Sequence, residues 1–392
     1  MPNRQLGSCG PLGPPRPDQV EISVFGPSYG ECIVAHLGHG NWIVVDSCLY
    51  SVHKEPIALS YLQGLSVPTA AIKAVVVTHW HDDHCKGISR ILAAAPTARV
   101  WIASVLIDKE FLQFATRMEK NQTAVAGNKL SEFLGVIREI HRRHEAGLVT
   151  FGFAAARTSM YQLPANLSGH GLDCQLLALS PSHGDALNFK DRIAQHVPKA
   201  RQTKISVPSP RPNDVSVASM ICIGPNAILL GADLENSGTP TAGWEAVLNE
   251  HQQMNFGPKA ALYKIAHHGS ESSYNPEVWE KLIANDSTAV LTPWRRAGGR
   301  LPTPEGIRFI LSQTRTAFAT ASDARSRQSR KGRPPGVGQF LRENRSIRLR
   351  SLEAPFGAVR FRTVGVNLDN WHHELFGDAC PIAGLKSIKA VR

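Results

Sequence analysis

Residues 79 to 84 read His-Trp-His-Asp-Asp-His and carry the clearest chemical signal in the chain. Four of these side chains, those of His79, His81, Asp83 and His84, are of the types that bind zinc and related divalent ions. In a tight loop, His79 and His81 can reach one ion while Asp83 and His84 reach another. The full string therefore predicts a metal site, whereas a bare His-x-His would more simply indicate a solvated polar loop.

Two further clusters have the same character. Asp233 follows Gly231-Ala232 at the end of an apolar run, where a carboxylate could bridge two ions or simply shape a turn. His268 lies in His267-His268-Gly269-Ser270, which also follows an apolar run and could instead be a turn with one structural histidine. Three such clusters in one chain favour a shared metal centre over three unrelated turns.

Each cluster follows a short apolar segment that predicts a buried strand, at residues 72–78, 227–230 and 260–266. Residues 20–46 read as a meander of antiparallel strands, and residues 105–146 carry apolar side chains at helical spacing. Strands and helices alternate in both halves of the chain. This order predicts an α/β fold, a four-layered αβ/βα sandwich in which 105–146 form a helical insertion.

At these residues the sequence resembles the metallo-β-lactamase superfamily, whose ligand types follow one another in the same chain order. Within that superfamily it is similar to the hydrolase domain of competence-type (ComEC-like) DNA-internalisation proteins, over about residues 20–320. The motifs that carry this likeness are Gly30-Glu31, Val45-Asp46, Thr78-His79, Leu179-Ser180-Pro181, Gly231-Ala232-Asp233 and His267-His268-Gly269-Ser270. The resemblance implies the metallo-β-lactamase sandwich and a metal-dependent hydrolase.

The resemblance implies two divalent metal ions, with zinc as the first choice and manganese or iron as alternatives. The implied ligands are His79 and His81 for the first ion, Asp83, His84 and His268 for the second, and Asp233 as the bridge between them. His183, just after Ser180-Pro181, is the candidate for the remaining ligand of the first ion.

The resemblance also implies roles beyond metal binding. Asp46 would orient a metal ligand from behind it. His267 would face the substrate or lie behind the ligands. For a mechanism through a metal-activated hydroxide, Asp83 is the candidate to orient that hydroxide as well as bind the metal, and His267 is the candidate donor to the leaving oxygen. Thr303-Pro304 stands where competence-type domains tend to carry His-Pro, and Thr303 reads more simply as a helix N-cap.

Charge is the main indication of the substrate. The formal net charge is +11, and residues 295–362 contain 16 Lys or Arg against 4 Asp or Glu, which alone accounts for it. Such a stretch attracts nucleic acid or another phosphorylated substrate, or it is a solvated basic loop with no ligand. Aromatic residues are sparse there, so base stacking is not expected. The candidate phosphate-binding residues are Arg295, Arg296, Arg327, Arg330 and Lys331.

The sequence therefore favours a phosphodiesterase or nuclease that acts through a metal-activated hydroxide. The alternative is a hydrolase of a small ester, thioester or lactone whose basic region binds a protein partner. A third interpretation is a non-enzymatic binding module, and the intact set of ligand types speaks against it. Protein partners from a multi-gene system are a further expectation.

The remaining features concern location and domain boundaries. The seven cysteines are scattered, the N-terminus lacks the apolar core of a signal peptide, and no apolar run is long enough to span a membrane. These features predict a cytoplasmic protein without a membrane segment. We expect a disordered segment at 1–18, a hydrolase domain at 19–322 and a basic C-terminal extension at 323–392. In that extension Trp371-His372-His373-Glu374 could be a metal site, but it reads more simply as part of a docking tail.

Overall fold

The structure is a computed structural model. It describes residues 13–26, 30–50, 54–120, 130–148, 150–196, 211–296, 299–322, 356–364 and 367–385. Three of the candidate phosphate-binding residues, Arg327, Arg330 and Lys331, lie outside these residues. In the described part of the chain, no helix combines the length and the apolar character that crossing a bilayer requires.

The first large sheet contains the strands of the predicted opening meander. Among the described residues its strands are β1 (Glu21–Gly26), β2 (Cys32–His36), β3 (Trp42–Val45), β6 (Ile72–Val77), β7 (Arg99–Ala103), β8 (Phe151–Ala154), β18 (Gly357–Val364) and β19 (Asn367–Gly377). Their spatial order is β19-β18-β1-β2-β3-β6-β7-β8. Strands β1, β2 and β3 pair antiparallel, and β3, β6, β7 and β8 pair parallel.

The second large sheet carries the other two motif-bearing strands, β12 and β13. Its described strands are β9 (Ser159–Leu163), β10 (Cys174–Ala178), β11 (Ser219–Ile223), β12 (Asn226–Leu230), β13 (Ala260–Lys264), β14 (Ile283–Leu291), β17 (Thr316–Ala319) and β20 (Cys380–Pro381). Their order is β20-β17-β14-β13-β12-β11-β10-β9. Because β12, β13, β14 and β17 are parallel, their carboxyl ends lie along one edge of the sheet.

Helices cover the sheets, and two small hairpins lie beside them. The described helices are α1 (Ile57–Gly64), α2 (Asp82–Cys85), α3 (Ile88–Ala94), α4 (Lys109–Lys120), α5 (Ser131–Glu145), α6 (His183–His196), α7 (Gly243–Met254), α8 (Pro276–Leu282) and α9 (Pro304–Gln313). The hairpins pair β4 (Leu49–Tyr50) with β5 (Glu55–Pro56) and β15 (Trp294–Arg296) with β16 (Gly299–Leu301). Helices α4 and α5 lie in the segment predicted as a helical insertion. Thr303 caps α9, as its sequence predicts, and Asn275 caps α8.

Successive side chains of β12 point into two different apolar layers of the protein. Ile228 and Leu230 join an apolar cluster that takes side chains from both sheets, whereas Leu229 joins a second cluster with Trp244 of α7 and Val278 of α8. A strand that is buried on both faces reads as a continuous apolar run, as residues 227–230 do. The architecture is the predicted αβ/βα sandwich.

The C-terminal strands differ from the predicted domain boundary. We assigned residues 323–392 to a separate basic extension, but β18 pairs with β1 along the whole length of β1, and β20 pairs with β17. Two of the arginines that count toward the predicted basic extension lie in β18 and have acidic partners within the fold. Arg360 and Arg362 are buried, and their guanidinium groups are paired with Glu374 and Glu21.

Candidate metal centre

The histidine-rich loop begins where the apolar strand β6 ends. After Val77, the chain passes through the buried residues Thr78 and His79 and enters α2, so that His84 is buried one turn later. Asp46, at the end of β3, holds this loop in place. Its carboxylate accepts hydrogen bonds from Thr78 N at 2.8 Å and Thr78 Oγ1 at 2.7 Å, and it lies 2.7 Å from His84 Nδ1. The contact places Nε2 of His84 toward Asp233. That Asp46 orients a metal ligand stays a prediction.

Asp233 and His268 lie at the adjacent carboxyl ends of β12 and β13. A Cβ atom at Gly231 would stand 2.9 Å from the backbone nitrogen of Ala266, so only glycine lets the two strand ends approach this closely. His267 and His268 have left-handed backbone angles, with φ of 45° and 54°. Non-glycine residues rarely adopt this conformation, and such strain is concentrated at functional sites.

The three clusters converge in the folded chain. Asp233 Oδ1 lies 3.3 Å from His84 Nε2, and its Oδ2 lies 3.7 Å from His79 Nε2 and 3.8 Å from His268 Nε2. Asp83 Oδ2 is also 3.8 Å from His268 Nε2. Three sets of candidate ligand atoms result among the described residues, and within each set the atoms lie within 4.8 Å of one another. They are His79, His84 and Asp233; Asp83, His84 and His268; and Glu31, Asp46 and His84.

The unsatisfied atoms of this cluster test whether it fits a metal ion. His84 Nε2, Asp233 Oδ1 and His268 Nε2 are buried and have no hydrogen-bond partner. Buried polar atoms are almost always satisfied, so three orphaned ligand atoms that face one another need an explanation. A divalent cation satisfies imidazole nitrogens and a carboxylate oxygen together. The residues therefore fit the metal ions that the resemblance implies.

The pKa shifts of His79, His268 and Asp233 agree with metal binding. Burial lowers the pKa of His79 and of His268, which keeps their lone pairs available. Burial would raise the pKa of Asp233, but the neighbouring His84 and His268 outweigh it and hold that pKa well below its ordinary value. Burial likewise opposes the charge on His84, but Asp233 and Asp46 together hold its pKa well above the ordinary value. A cation bound beside Asp233 would take the place of this proton.

A buried ion pair contacts the segments that carry the candidate metal ligands. Lys264 Nζ lies 2.6 Å from Glu31 Oε1, and both side chains are fully buried. Lys264 also donates to the carbonyl of Ala232 at 3.2 Å, next to Asp233. Glu31 belongs to the Gly30-Glu31 motif, but the sequence predicts no functional role for it or for Lys264. The available signal was a lone lysine in the apolar strand β13.

The same pair extends to the other two ligand segments. Thr292 Oγ1 donates to the Glu31 carboxylate, and the carbonyl of Thr292 lies 2.9 Å from His268 Nδ1. The backbone nitrogen of Glu31 donates to the carbonyl of Asp83 at 2.8 Å. A Cβ atom at the preceding Gly30 would stand 1.7 Å from that carbonyl oxygen, so the close approach requires glycine. One buried pair thus connects the Asp83, Asp233 and His268 segments.

His267 belongs to a second polar group at the edge of the centre. Its Nδ1 lies 2.8 Å from Glu235 Oε1, and its Nε2 lies 3.3 Å from Asn213 Nδ2. Burial would lower the pKa of His267, but the hydrogen bond and charge of Glu235, with the charge of Asp233, raise it above the ordinary value. Glu235 and Asn213 were not predicted as site residues, because no local pattern connects them with His267.

A cavity of about 200 Å³ opens onto these residues. It is lined by His81, Asp82, Asp83, Asp233, His267, His268, Trp294 and Leu301. The predicted catalytic residues, Asp83 and His267, therefore line the same cavity as several candidate metal ligands. His81 is half-buried, and its Nδ1 lies 3.0 Å from His79 Nε2, so it can complete the first set of ligands.

Some predicted residues lie elsewhere. His183 begins α6 and is exposed, and the candidate metal-binding groups of the described residues do not include it. Asp185, rather than His183, points inward from this helix start, where it accepts hydrogen bonds from Ser182 and Gly243. Arg295 lies in β15 but does not line the cavity, and only the backbone of Arg296 is described.

Comparison with known proteins agrees with this architecture. Residues 26–120 match the model of the metallo-beta-lactamase superfamily. This part of the chain, which contains His79, His81, Asp83 and His84, is therefore similar to the metallo-β-lactamase superfamily. No curated protein matches the chain. The finer likeness to competence-type hydrolases stays a prediction from the sequence motifs.

Solved structures of low sequence identity are also similar. A Cronobacter sakazakii metallo-β-lactamase with a HARLDQ motif is 14% identical, with 62% of this chain and 76% of that chain covered and a TM-score of 0.33. MEM-A1, a subclass B3 metallo-β-lactamase from a soil metagenome library, is 11% identical, with 66% and 82% covered and a TM-score of 0.32. A single-residue mutant of CmlA beta-hydroxylase is 16% identical, with 64% and 36% covered and a TM-score of 0.31.

Proposed function

We propose that the chain is a binuclear metal-dependent hydrolase that cleaves phosphodiester bonds in nucleic acid. The observation that carries the metal-dependent part is the set of orphaned atoms, His84 Nε2, Asp233 Oδ1 and His268 Nε2, that face one another in a buried cluster. When bound, two divalent ions supply Lewis-acid polarisation of the phosphoryl group and an activated water.

The geometry suggests how the ligands divide between the two ions. His84 offers a single lone pair at Nε2, because its Nδ1 is held by Asp46, so it can serve one ion only. We assign it to the second ion with Asp83 and His268. Asp233 has two oxygens that face different histidines, so it is suited to bridge. His79 and His81 then remain for the first ion. Nitrogen and oxygen ligands without thiolate suit zinc, manganese or iron.

His267 is suited to protonate the leaving oxygen. It lines the cavity, and Glu235 fixes its ring through Nδ1. The contact with the Glu235 carboxylate favours the protonated form that a general acid needs. Asp83 lines the same cavity, where its carboxylate can accept a hydrogen bond from the attacking water.

The charge distribution supports nucleic acid as the substrate. The net charge of +11 arises from residues 295–362, which the chain sequence places directly after strand β14 of the site. Two arginines of that stretch, Arg360 and Arg362, are paired internally and cannot contribute. The remaining cations attract a phosphate backbone without reading its sequence.

A matched pair of histidine variants tests this function. Metal content and cleavage of single-stranded DNA are measured on the purified chain, on His268→Ala and on His183→Ala. We expect His268→Ala to lose bound metal and to cleave at least about a hundredfold more slowly, because a direct ligand contributes no less than the residues that support it. His183→Ala, which alters an exposed histidine, should match the wild type. Full metal loading of the wild type without DNA cleavage would refute the proposal.

One observation favours the alternative, a hydrolase of a small ester, thioester or lactone. Among the described residues that line the cavity there is no lysine or arginine to hold a phosphate. A neutral acyl substrate would not need one. Turnover of lactones or thioesters by a metal-loaded chain that does not bind nucleic acid would favour this function. His268→Ala should abolish that turnover together with metal binding.

A further inference from the structure

Thr78 lies between strand β6 and the histidine-rich loop, and it is fully buried. Its backbone is held on both sides. The nitrogen donates to Asp46 Oδ1 at 2.8 Å, and the carbonyl accepts a hydrogen bond from Val217 N at 3.1 Å. Neither bond uses the hydroxyl group of the side chain. The motif Thr78-His79 is part of the family resemblance, but the sequence predicts no role for this hydroxyl.

The Asp46 carboxylate determines where the hydroxyl hydrogen of Thr78 points. Its Oδ2 lies 2.7 Å from Thr78 Oγ1 and 2.7 Å from His84 Nδ1. Burial raises the pKa of Asp46, whereas His84 and the hydrogen bonds from Thr78 favour the ionised form. An ionised carboxylate only accepts hydrogen bonds. The Thr78 hydroxyl therefore donates its single hydrogen to Asp46.

The hydroxyl then has only lone pairs left for its other neighbour, the ring of His79. Thr78 Oγ1 lies 3.0 Å from His79 Nδ1. Because the hydroxyl hydrogen points to Asp46, this contact is a hydrogen bond only when Nδ1 carries the ring hydrogen. A neutral imidazole has one such hydrogen, so Nε2 keeps its lone pair. Nε2 is the atom of His79 that faces Asp233, at 3.7 Å from Oδ2.

Asp46 thus reaches one candidate ligand of each proposed ion by a different route. It contacts His84, which we assigned to the second ion, directly. It reaches His79, which we assigned to the first ion, only through the Thr78 hydroxyl. Removal of this hydroxyl would interrupt the route to His79 and leave the contact with His84 in place. The two ions should therefore respond differently to the loss of one buried oxygen atom.

From these contacts we propose that Thr78 is a positioning residue for the first metal ion. Its hydroxyl keeps the ring hydrogen of His79 on Nδ1 and so presents Nε2 as the ligand atom. This inference rests on the proposed function, since it concerns one of the two proposed ions. Without the hydroxyl, a hydrogen on Nδ1 loses its acceptor, whereas a hydrogen on Nε2 can be shared with His81 Nδ1, which is 3.0 Å away. The ring then changes to the form that does not bind a metal ion through Nε2.

The change Thr78→Val removes the hydroxyl and leaves both backbone hydrogen bonds possible. Zinc stoichiometry and affinity are measured on the purified full chain by chelator competition. We expect one of the two zinc affinities to fall by about 10–100-fold, the usual effect of losing a group that orients a ligand, while the other stays at the wild-type value. Thr78→Ser keeps the hydroxyl and should bind both ions as the wild type does.

Thr320→Val is the matched control for this change. Thr320 is also fully buried, but its Oγ1 has no hydrogen-bond partner among the described residues. The same chemical substitution should therefore leave both zinc affinities at the wild-type values. The comparison separates the loss of one hydrogen bond from the general effect of replacing a buried threonine by valine.

The position of the ring hydrogen is measured independently of metal. Long-range ¹H–¹⁵N correlation spectra of the metal-free chain, labelled with ¹⁵N-histidine, report which nitrogen of each ring carries it, and the His79 signals are those absent from His79→Gln. We expect the hydrogen on Nδ1 in the wild type and in Thr78→Ser, and on Nε2 in Thr78→Val. If Thr78→Val does not fold, the wild-type spectrum decides alone.

The outcomes for Thr78 and for the proposed function are distinguishable. The Thr78 inference is wrong, and the hydrolase unaffected, if folded Thr78→Val binds both ions as the wild type does or loses both equally. A wild-type His79 with its hydrogen on Nε2 has the same meaning. If the wild type binds two ions but cleaves no DNA, the hydrolase is wrong, and a selective loss of one ion in Thr78→Val still supports the positioning role. A wild type that binds no metal ion overturns both.

Discussion

At the scale of single residues, the least expected feature is the buried Lys264–Glu31 pair. A buried ion pair contributes little net stability, because desolvation of the two charges offsets their attraction. Its contacts with the carbonyl of Ala232 and, through Thr292, with His268 indicate a different use. The pair fixes the segments that carry the metal ligands relative to one another.

We therefore predict that Lys264→Met weakens metal binding. The change leaves the Glu31 carboxylate buried without its cation, which should lower the free energy of unfolding by about 3–5 kcal/mol. Loss of a group that orients a ligand should also lower metal affinity by about 10–100-fold. Chelator competition and denaturant unfolding measure the two effects.

The control is Lys281→Met, which removes a partly exposed i,i+4 partner of Glu277 on α8. Such a pair is worth less than about 1 kcal/mol, so neither quantity should change noticeably. Wild-type metal affinity in Lys264→Met would show that the buried pair has no role in positioning the ligands.

His36, on β2, gives a prediction for the dependence of stability on pH. It is buried, its Nδ1 lies 2.9 Å from the carbonyl of Gln19, and its Nε2 accepts a hydrogen bond from Gly40 N at 2.9 Å. Protonation would remove that acceptor, and burial lowers the pKa of His36 to about 4. Because the unfolded chain binds this proton more readily, stability should fall by roughly 2–3 kcal/mol as the pH falls from about 6.5 to about 4.

His36→Gln should remove this part of the pH dependence. Denaturant unfolding of the wild type and the variant between pH 7 and pH 4 measures it as the difference between their two curves. His141→Gln, at an exposed position of α5, should keep the wild-type curve. A difference that stays constant over the whole pH range would contradict the assignment to His36.

At the scale of elements, Trp80 connects the metal loop with the helical insertion. It lies between His79 and His81 in sequence and is buried, with its ring 4.9 Å from that of Phe111 on α4 and 5.3 Å from that of Phe189 on α6. The helices therefore do more than cover the sheet. They anchor the residue between two candidate ligands.

We predict that Trp80→Ala destabilises the chain by about 3–5 kcal/mol, the usual cost of a large cavity in the core. It should also weaken metal binding, because the loop loses its anchor, whereas Trp80→Phe should keep most of both properties. Thermal unfolding with and without metal measures them. Phe153→Ala, which removes an exposed ring, is the control. An unchanged metal affinity in Trp80→Ala would show that the loop is held by its backbone alone.

At the scale of the whole molecule, sequence predicted the local features and missed the long-range ones. Strand-end clusters such as Asp233 could be recognised because the apolar run before them and the polar residue after them are neighbours in sequence. The N-caps Asn275 and Thr303 are local in the same way. Glu235 beside His267 could not be predicted, because the pairing depends on how the chain folds and not on spacing.

The C-terminal strands are the clearest case of a missed long-range feature. Arg362 looked like part of a basic tail, but its Nε donates to the buried Glu21 carboxylate at 2.6 Å, across nearly the whole length of the chain. Alternation of side chains cannot show which strand a segment will pair with. The sequence likewise cannot show which charged side chain will pair with a buried charge, because that pairing depends on the folded sheet.

We predict that Arg362→Met destabilises the whole sandwich by about 3–5 kcal/mol, since it leaves Glu21 buried without its partner. Denaturant unfolding of the metal-free chain measures the change without interference from the site. Arg308→Met, on the exposed face of α9, should change stability by less than about 0.5 kcal/mol. Equal stability of the two variants would mean that β18 is not a structural part of the first sheet.

The measurement that tests the central claim most directly is anomalous diffraction from crystals of the metal-loaded chain. We expect two anomalous peaks beside Asp233. Each should lie about 2.0–2.2 Å from its ligand atoms, with His79 and His81 at one peak and Asp83, His84 and His268 at the other. A fully loaded crystal with no peak beside Asp233, or with its metal bound elsewhere, would contradict the account.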